Sequence, residues 1–226
     1  MNKIFAGLSV ATLVAMSSSS VFASDSFDIS VVGNITPAAC KPALAGGNVF
    51  DYGNIPASSL SKDDFTVLPS KTTGISIVCD APTKVALQTT DNRSGTENIP
   101  VGKILEGMKM NAASTPMGLG LDSAGNKIGA YHASIPAETV KLDTDDAPDS
   151  IYSKDMGASW VKYNRTLFTS NKNLFSWAKS GELAPEAFTS MTGTISVTPA
   201  ISPASSLDLS SPVKMDGSVT VQLYYL

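Results

Sequence analysis

The sequence predicts an all-β protein built as an antiparallel sandwich, and two observations point to this fold class. Short runs that alternate apolar and polar residues recur between clusters of Gly, Pro, Asn and Asp, which is the pattern of strands joined by turns. Helical spacing of apolar residues is hard to find, so strands do not alternate with helices as they do in α/β folds. Many short strands with turn signals therefore favour two packed antiparallel sheets.

The first alternating segment spans residues 27–35 and lies before Pro37, a residue that ends or bends a strand. Its apolar side chains share one parity, so the extended segment presents one apolar edge. These residues are Phe27, Ile29, Val31 and Ile35, with Gly33 in the gap between them.

Further strands are predicted between polar loops, and the last of them has the clearest pattern. In residues 218–226 alternate side chains are apolar, so this strand needs a sheet beneath one face. Its apolar residues are Val219, Val221, Leu223 and Tyr225. The other predicted elements are a strand at 49–53, a loop at 57–71, a strand at 74–79 that continues as 84–89 beyond Pro82, a turn at 91–95, a hairpin of 117–121 and 127–131, strands at 139–142 and 159–163 among polar loops, and a strand at 188–198.

Residues 1–23 have the layout of a cleavable secretory signal, with Lys3 near the start, an apolar stretch at 4–16 and the small Ala23 at the end. We therefore expect an exported chain that starts at Ser24 and works in the periplasm or at the cell surface. A transmembrane anchor is the alternative, but the apolar stretch is shorter than the roughly 20 residues that span a bilayer.

Cys40 and Cys79 are the only cysteines, and in an exported protein the default expectation is a disulfide between them. Closing a loop of about 40 residues removes denatured-state entropy worth roughly 4 kcal/mol. Two reduced thiols serving redox or metal chemistry are the alternative. A metal would need further ligands, and His132 is the only histidine, so we predict neither a metal nor a cofactor.

The remaining composition gives no support for catalysis or nucleic-acid binding. The formal net charge is −4, whereas nucleic-acid binding depends on an excess of Lys and Arg. Sequence motifs of acyl transfer, nucleotide binding and zinc hydrolysis are absent, so no enzyme is expected, and His132 is expected at the surface or in a hairpin.

A group of acidic residues and a group of aromatic residues each have two interpretations. The acidic residues Asp143, Asp145, Asp146 and Asp149 are expected in a solvated loop rather than a calcium site, and Trp160, Trp177, Tyr163 and Phe175 in the core rather than a ligand surface.

Three features stand in a meaningful order: an alternating segment before the first cysteine, a cysteine pair between two early strands, and an alternating C-terminal strand with an aromatic penultimate residue. The sequences are N-I-T-P-A-A-C at 34–40, I-S-I-V-C at 75–79 and G-S-V-T-V-Q-L-Y-Y-L at 217–226. In these features the chain resembles subunits of chaperone–usher fimbriae. The resemblance implies an immunoglobulin-like, pilin-like sandwich that lacks its last strand, so a groove over the core stays open until another strand fills it.

The resemblance also implies roles for both alternating segments. Residues 27–35 would be a donor strand for a neighbouring fimbrial subunit, with Gly33 allowing close approach and Phe27, Ile29, Val31 and Ile35 supplying the side chains. The C-terminal strand would be the edge that a periplasmic chaperone covers before an usher assembles the subunits. Its residues for that contact are Val219, Val221, Leu223 and Tyr225.

Further motifs cover most of the chain and resemble the GltF-like family of enterobacterial fimbrial-like exported proteins. They include T-P-A-A-C-K-P-A-L-A-G-G, V-F-D-Y-G, T-D-N-R and S-G-E-L-A-P-E-A-F-T. We expect a signal at 1–23, an N-terminal extension at 24–36 and a fimbrial-like sandwich at 37–226 with an irregular insertion at 111–183. The alternative is a soluble periplasmic binding or regulatory protein with a complete sandwich that does not polymerise.

Overall fold

The computed structural model describes residues 29–33, 38–98, 104–105, 108–109, 116–143, 148–168 and 173–226. The chain divides into two units, Met1–Thr36 and Pro37–Leu226. Residues 29–33, the described part of the first unit, carry no strand or helix. All strands of the described chain belong to the second unit.

The second unit is almost entirely β-structure, with three short 3-10 turns at Ala57–Ser59, Ala137–Thr139 and Ala204–Ser206 in its described part. Its strands are β1 (Cys40–Leu44), β2 (Thr66–Val67), β3 (Lys71–Thr83), β4 (Val85–Asp91), β5 (Ile104–Leu105), β6 (Met108–Lys109), β7 (Met117–Gly118), β8 (Gly129–Pro136), β9 (Lys141–Leu142), β10 (Asp149–Ser153), β11 (Val161–Tyr163), β12 (Arg165–Phe168), β13 (Leu174–Ala178), β14 (Phe188–Ile201) and β15 (Val219–Tyr225).

The strands form two main sheets. Sheet A has the order β1-β3-β14-β8-β12, with β2 and β9 paired to β14 and β7 paired to β8. Sheet B has the order β11-β10-β13-β4-β15, and β5 pairs separately with β6. All ladders between these strands are antiparallel. The two sheets pack as a sandwich, which confirms the predicted all-β, immunoglobulin-like fold class.

The core lies between the sheets and follows from alternation along their strands. On β3, Ile75 and Ile77 are buried whereas the intervening Val78 is 55% exposed. The facing side chains come from sheet B, where Leu87 and Trp177 belong to the same buried cluster as Ile77. Removal of these side chains from water is the main favourable term in the stability of the sandwich.

Residues 84–89 do not continue the preceding strand, so that part of the prediction was wrong. β3 ends at Thr83 in sheet A and β4 begins at Val85 in sheet B, and Lys84 forms the corner between them. Pro82 has no N–H for a ladder, and the pairing of β3 with β14 becomes irregular there. The crossing lets Val85 point into the core from the opposite sheet.

Residues 111–183 are more regular than predicted. Within the described residues they supply β7 to β13 to both sheets, and the predicted hairpin is present as the β7–β8 pair closed by a Leu121–Lys127 bridge. Three strands were missed, β10, β12 and β13. Both faces of β13 are buried, including Ser176, so its sequence has no alternation to recognise.

Residues 49–53 form no strand, contrary to the prediction. The Asp51 carboxylate accepts a hydrogen bond from the Gly53 N–H at 2.7 Å, which closes a local turn, and Gly53 has a φ of 64°. Among the described residues no backbone ladder reaches this segment. Its apolar residues cover the core without joining a sheet.

Candidate functional site

The last strand, β15, is an edge of sheet B in the described structure. It pairs with β4 along its whole length and with no other strand described here. Val219 and Leu223 pack against the core, whereas Val221 and Tyr225 are 38% and 48% exposed. A strand edge of this kind presents backbone N–H and C=O groups to which a further strand can bond.

The predicted disulfide between Cys40 and Cys79 is present, with an S–S distance of 2.05 Å. The two cysteines are register partners on β1 and β3. Beside the bridge, the Cys40 N–H donates a hydrogen bond to the Tyr225 hydroxyl oxygen at 2.9 Å. The end of β15 in sheet B is therefore fixed to the beginning of β1 in sheet A.

A groove of about 1100 Å³ opens beside the start of β15. Its floor is made of core side chains of sheet A, among them Tyr131 of β8 and Ile195 and Val197 of β14. Two segments outside the sheets line it: residues 48–55, which we call the strap, and residues 209–218, which we call the C-terminal wall. Val219 and Val221 of β15 also line it, so the groove reaches core side chains next to a strand edge.

The strap is attached by side chains. The Tyr52 hydroxyl donates to the Val197 carbonyl oxygen at 2.8 Å, and the Lys71 ammonium donates to the Asp51 carbonyl oxygen at 2.5 Å. Lys71 also stands over the Tyr52 ring, 5.1 Å from its centre. No backbone–backbone hydrogen bond of residues 48–55 occurs in the described structure.

The C-terminal wall is fixed near its two ends. Just before it, the Asp208 N–H donates to the Asp122 carboxylate at 2.7 Å. Near its other end, the Asp216 N–H donates to the Leu119 carbonyl oxygen at 2.9 Å, and the Asp216 carboxylate pairs with Arg93 at 2.6 Å. The hydrogen bond from Asp208 is the leading cause that lowers the pKa of Asp122 to about 2. Between these anchors, residues 209–215 make no backbone–backbone hydrogen bond in the described chain.

The groove floor is uncharged near neutral pH. Burial, assisted by the negative charge of Asp91, raises the pKa of the Tyr131 hydroxyl well above its ordinary value. Asp91 is itself satisfied by the N–H groups of Arg93 and Gly118, at 2.8 and 3.0 Å. A neutral apolar floor beside the open edge of β15 suits an extended chain with apolar side chains on alternate residues.

The structure describes three of the five predicted donor residues. Ile29 and Val31 are 79% and 95% exposed, and Gly33 has no neighbour within 4 Å of the place where a Cβ would be. Phe27 and Ile35 lie outside the described residues. Whether this segment enters a groove stays a prediction.

The histidine, the aromatic residues and the acidic residues singled out in the sequence occupy different environments in the structure. His132 lies on β8, a strand of the predicted hairpin, and it is buried rather than at the surface because β8 is covered on both faces. Trp177 is buried with its ring 6.0 Å from Phe188, as expected for the core. Asp143 and Asp149 brace neighbouring backbone, accepting from the N–H groups of Thr189, Ser190 and Gly181, whereas Asp145 and Asp146 lie outside the described residues.

The described residues contain neither a metal-binding cluster nor a membrane-spanning helix. No group of three His, Cys, Asp or Glu side chains there is placed to hold a metal ion. No described helix has the length and apolar character needed to cross a bilayer.

The two groove-lining segments were missed from the sequence, although a signal exists for the second. The alternation of β15 extends backwards through Gly217 and Met215 to Val213, on the same parity as Val219. Met215 and Val213 are indeed packed against the core. Alternation alone therefore marked the core-facing side chains, but it did not show that their backbone lacks a partner strand.

Comparisons with known proteins place these features among relatives. Residues 29–132 match the family described as "Protein of unknown function (DUF1120)". Protein GltF of Escherichia coli (strain K12) is 30% identical over 249 residues, which cover 99% of this chain and 96% of GltF. Uncharacterized protein YhcF of the same organism is 22% identical over 223 residues, which cover 90% of this chain and 92% of YhcF. Because it covers 99% of this chain, the similarity to GltF extends over the groove-lining segments as well as the sheets.

Proposed function

Since this chain belongs to the GltF-like family, we propose that it is an exported, fimbrial-like structural or adhesive protein that assembles by β-strand addition. The groove beside β15 accepts an extended strand from a neighbouring subunit. One observation carries the proposal: a groove lined by core side chains lies beside the edge of β15 that pairs with no further strand in the described structure. Backbone hydrogen bonds would supply general affinity, and alternate side chains would fix the register.

The strand proposed to fill the groove is residues 27–35 of a second copy. Ile29 and Val31 support this choice because both are strongly exposed in the described part of the first unit, so a partner would remove them from water. Together with Phe27 and Ile35 they would bury four apolar side chains. That burial is worth on the order of 6–12 kcal/mol before the costs of ordering and association.

The proposal includes a periplasmic chaperone and an usher, by analogy with the fimbrial subunits that the sequence resembles. An apolar groove beside an unpaired edge invites aggregation, so a subunit of this kind needs a partner that covers β15 until assembly. The disulfide is the form that cysteines take in an oxidising compartment, which supports export. The protein would then work in the periplasm or in a fibre at the cell surface.

Complementation between two variants of the chain starting at Ser24 tests strand addition. The first variant, Phe27→Asp with Ile29→Asp and Val31→Asp, makes the donor segment polar and keeps the groove. The second, Val221→Arg, places a charge in the groove and keeps the donor. We expect each variant alone to be monomeric and their mixture to form a one-to-one dimer, measured by light scattering after size-exclusion chromatography.

A matched control places the same charge elsewhere. Val78 is exposed on β3 and does not line the groove, so Val78→Arg should assemble like the unchanged protein. A mixture that stays monomeric, although both variants keep the circular dichroism of the unchanged chain, would rule out strand addition through this groove.

A second candidate function is a soluble periplasmic binding protein, and the groove volume favours it. Small-molecule sites commonly measure about 300–1000 Å³ and are mostly apolar, so this groove is large enough for an apolar ligand. In that case the unchanged protein would remain monomeric and bind an apolar dye such as anilinonaphthalene sulfonate in a one-to-one ratio. The Val221→Arg change would then weaken dye binding without altering the oligomeric state.

A further inference from the structure

The strap differs from the other lining of the groove in how it is held. The C-terminal wall is attached through backbone N–H groups near both ends, whereas every described hydrogen bond that joins the strap to the sheets uses a side chain. The strap is also largely exposed, with Val49 within it 75% exposed. Few attachments and high exposure are the features of segments that open locally at low cost.

Glycines with positive φ bracket the part of the strap that covers the core. Gly47 has a φ of 78° and Gly53 a φ of 64°, and neither has a neighbour within 4 Å of the Cβ position. Between them lies Phe50, which packs against the core cluster. Residues 48–52 could therefore swing about two positions where the backbone is permissive and sterically unobstructed.

Three contacts fasten this segment, and they converge on one place in sheet A. Lys71 donates to the Asp51 carbonyl oxygen and covers the Tyr52 ring, while Tyr52 donates to the Val197 carbonyl oxygen. Lys71 and Val197 are themselves register partners on β3 and β14. The strap is thus fastened at a point where two neighbouring strands of sheet A are paired.

We propose that the strap is a latched gate over the groove, with Lys71 and Tyr52 as the positioning residues that hold it closed. The gate opens to let an extended strand pass and closes over the strand once it is seated. This inference rests on the proposed function. Because the latch must break for both insertion and release, its loss speeds both steps and leaves their ratio nearly unchanged.

Stopped-flow binding of a fluorescent peptide of residues 24–36 tests the gate. The acceptor is the full chain from Ser24 carrying the three donor-segment aspartates, so that its own segment does not compete. Tyr52→Phe and Lys71→Met should each raise the association and dissociation rate constants about fivefold, the factor that one ordinary hydrogen bond is worth. The Kd should change by less than about twofold, because the two rate constants rise together.

Two controls separate a gate from general loosening. Lys71→Arg keeps a cation and donors above the Tyr52 ring and should restore slow binding. Thr73→Val removes a nearby bond, from the Gly46 N–H to the Thr73 hydroxyl oxygen at 3.0 Å, that lies outside the strap, and should leave both rates unchanged.

Each result decides between the two proposals. Unchanged rates in Tyr52→Phe and Lys71→Met, with normal peptide affinity, would overturn the gate alone. A weaker Kd with an unchanged association rate would show that the contacts are merely structural and would also overturn it. Failure of the peptide to bind any acceptor would overturn strand addition, and the gate with it.

Discussion

The two sides of the sandwich differ in how far their backbone pairing is completed. On one side β14 pairs with β3 and β8 at once, and Ile77 and Met191 there are fully buried. On the other side the strap and the C-terminal wall cover similar core residues without a ladder among the described residues. Apolar burial and backbone pairing are therefore separable in one domain, and the place where they separate is where we propose that a partner adds a strand.

The largest effect that would test this contrast is a core truncation on a strand with neighbours on both sides, β13 of sheet B. Trp177→Ala should lower the free energy of unfolding by about 3–5 kcal/mol, because Trp177 is fully buried and its removal leaves a cavity. Phe50→Ala in the strap should cost only about 1–2 kcal/mol, because Phe50 is half-buried and borders the groove. Urea titrations of both variants measure the difference. Equal losses would mean that the strap is as integral to the fold as the paired sheets.

Loss of the disulfide should rank next. The bridge closes a loop with a sequence separation of 39, so replacing both cysteines by alanine should lower the free energy of unfolding by about 3–4 kcal/mol in the chain-entropy model. Urea unfolding of the double variant, compared with that of the unchanged, oxidised chain, measures it. In the described structure β1 is an edge strand that pairs with β3 alone. If the free energy of unfolding falls by less than about 1 kcal/mol, the attachment of β1 contributes little to the stability of the domain.

The smallest expected effect is a pH dependence of the free energy of unfolding that comes from Asp122, the anchor of the C-terminal wall. The pKa of Asp122 is lowered to about 2, so its ionised form stabilises the fold above the ordinary Asp pKa near 4, and this contribution disappears as the pH falls from about 4 to about 2. Asp122→Asn should remove that part of the dependence, seen in urea midpoints between pH 6 and pH 2. It should also speed amide exchange in the C-terminal wall, which Asp122 anchors through Asp208.

Asp155 supplies the matched control for that experiment. Its pKa is likewise lowered to about 2, chiefly by hydrogen bonds from Ser153 and Ser159, but it lies in the β10–β11 loop. Asp155→Asn should flatten the acid dependence without changing amide exchange in the C-terminal wall. Faster exchange there in both variants would contradict a local anchor at Asp122.

The sequence predicted best where one face of a strand is buried and the other is not. β15 and the alternating part of β3 were found for this reason, and the two cysteines were paired from their number and the expected compartment. β10 and β13 were missed because burial on both faces removes the alternation. The strap was predicted as a strand because its residues are apolar and aromatic, but a strand also requires a partner backbone, which no local pattern encodes.

A groove over the core was expected only from the resemblance to fimbrial subunits. No local sequence pattern predicts a groove, for a physical reason. A groove is the absence of a neighbour along an edge, and that depends on the order of strands in both sheets rather than on any one segment. Residues 209–218 show this limit, since their alternation correctly marks core contacts at Val213 and Met215 yet gives no indication that the wall lacks a ladder.

The hydrogen bond between Cys40 and Tyr225 joins groups that are 185 positions apart in the chain. The covalent link to Cys79 needs only the first third of the polypeptide, whereas β15 consists of almost its last residues. Oxidation can therefore come early in synthesis, but docking of β15 must wait until Val219–Tyr225 has been made. Contacts between residues this distant in the chain slow folding. The newly made protein therefore passes through a period in which the disulfide has formed but sheet B still lacks its edge strand β15.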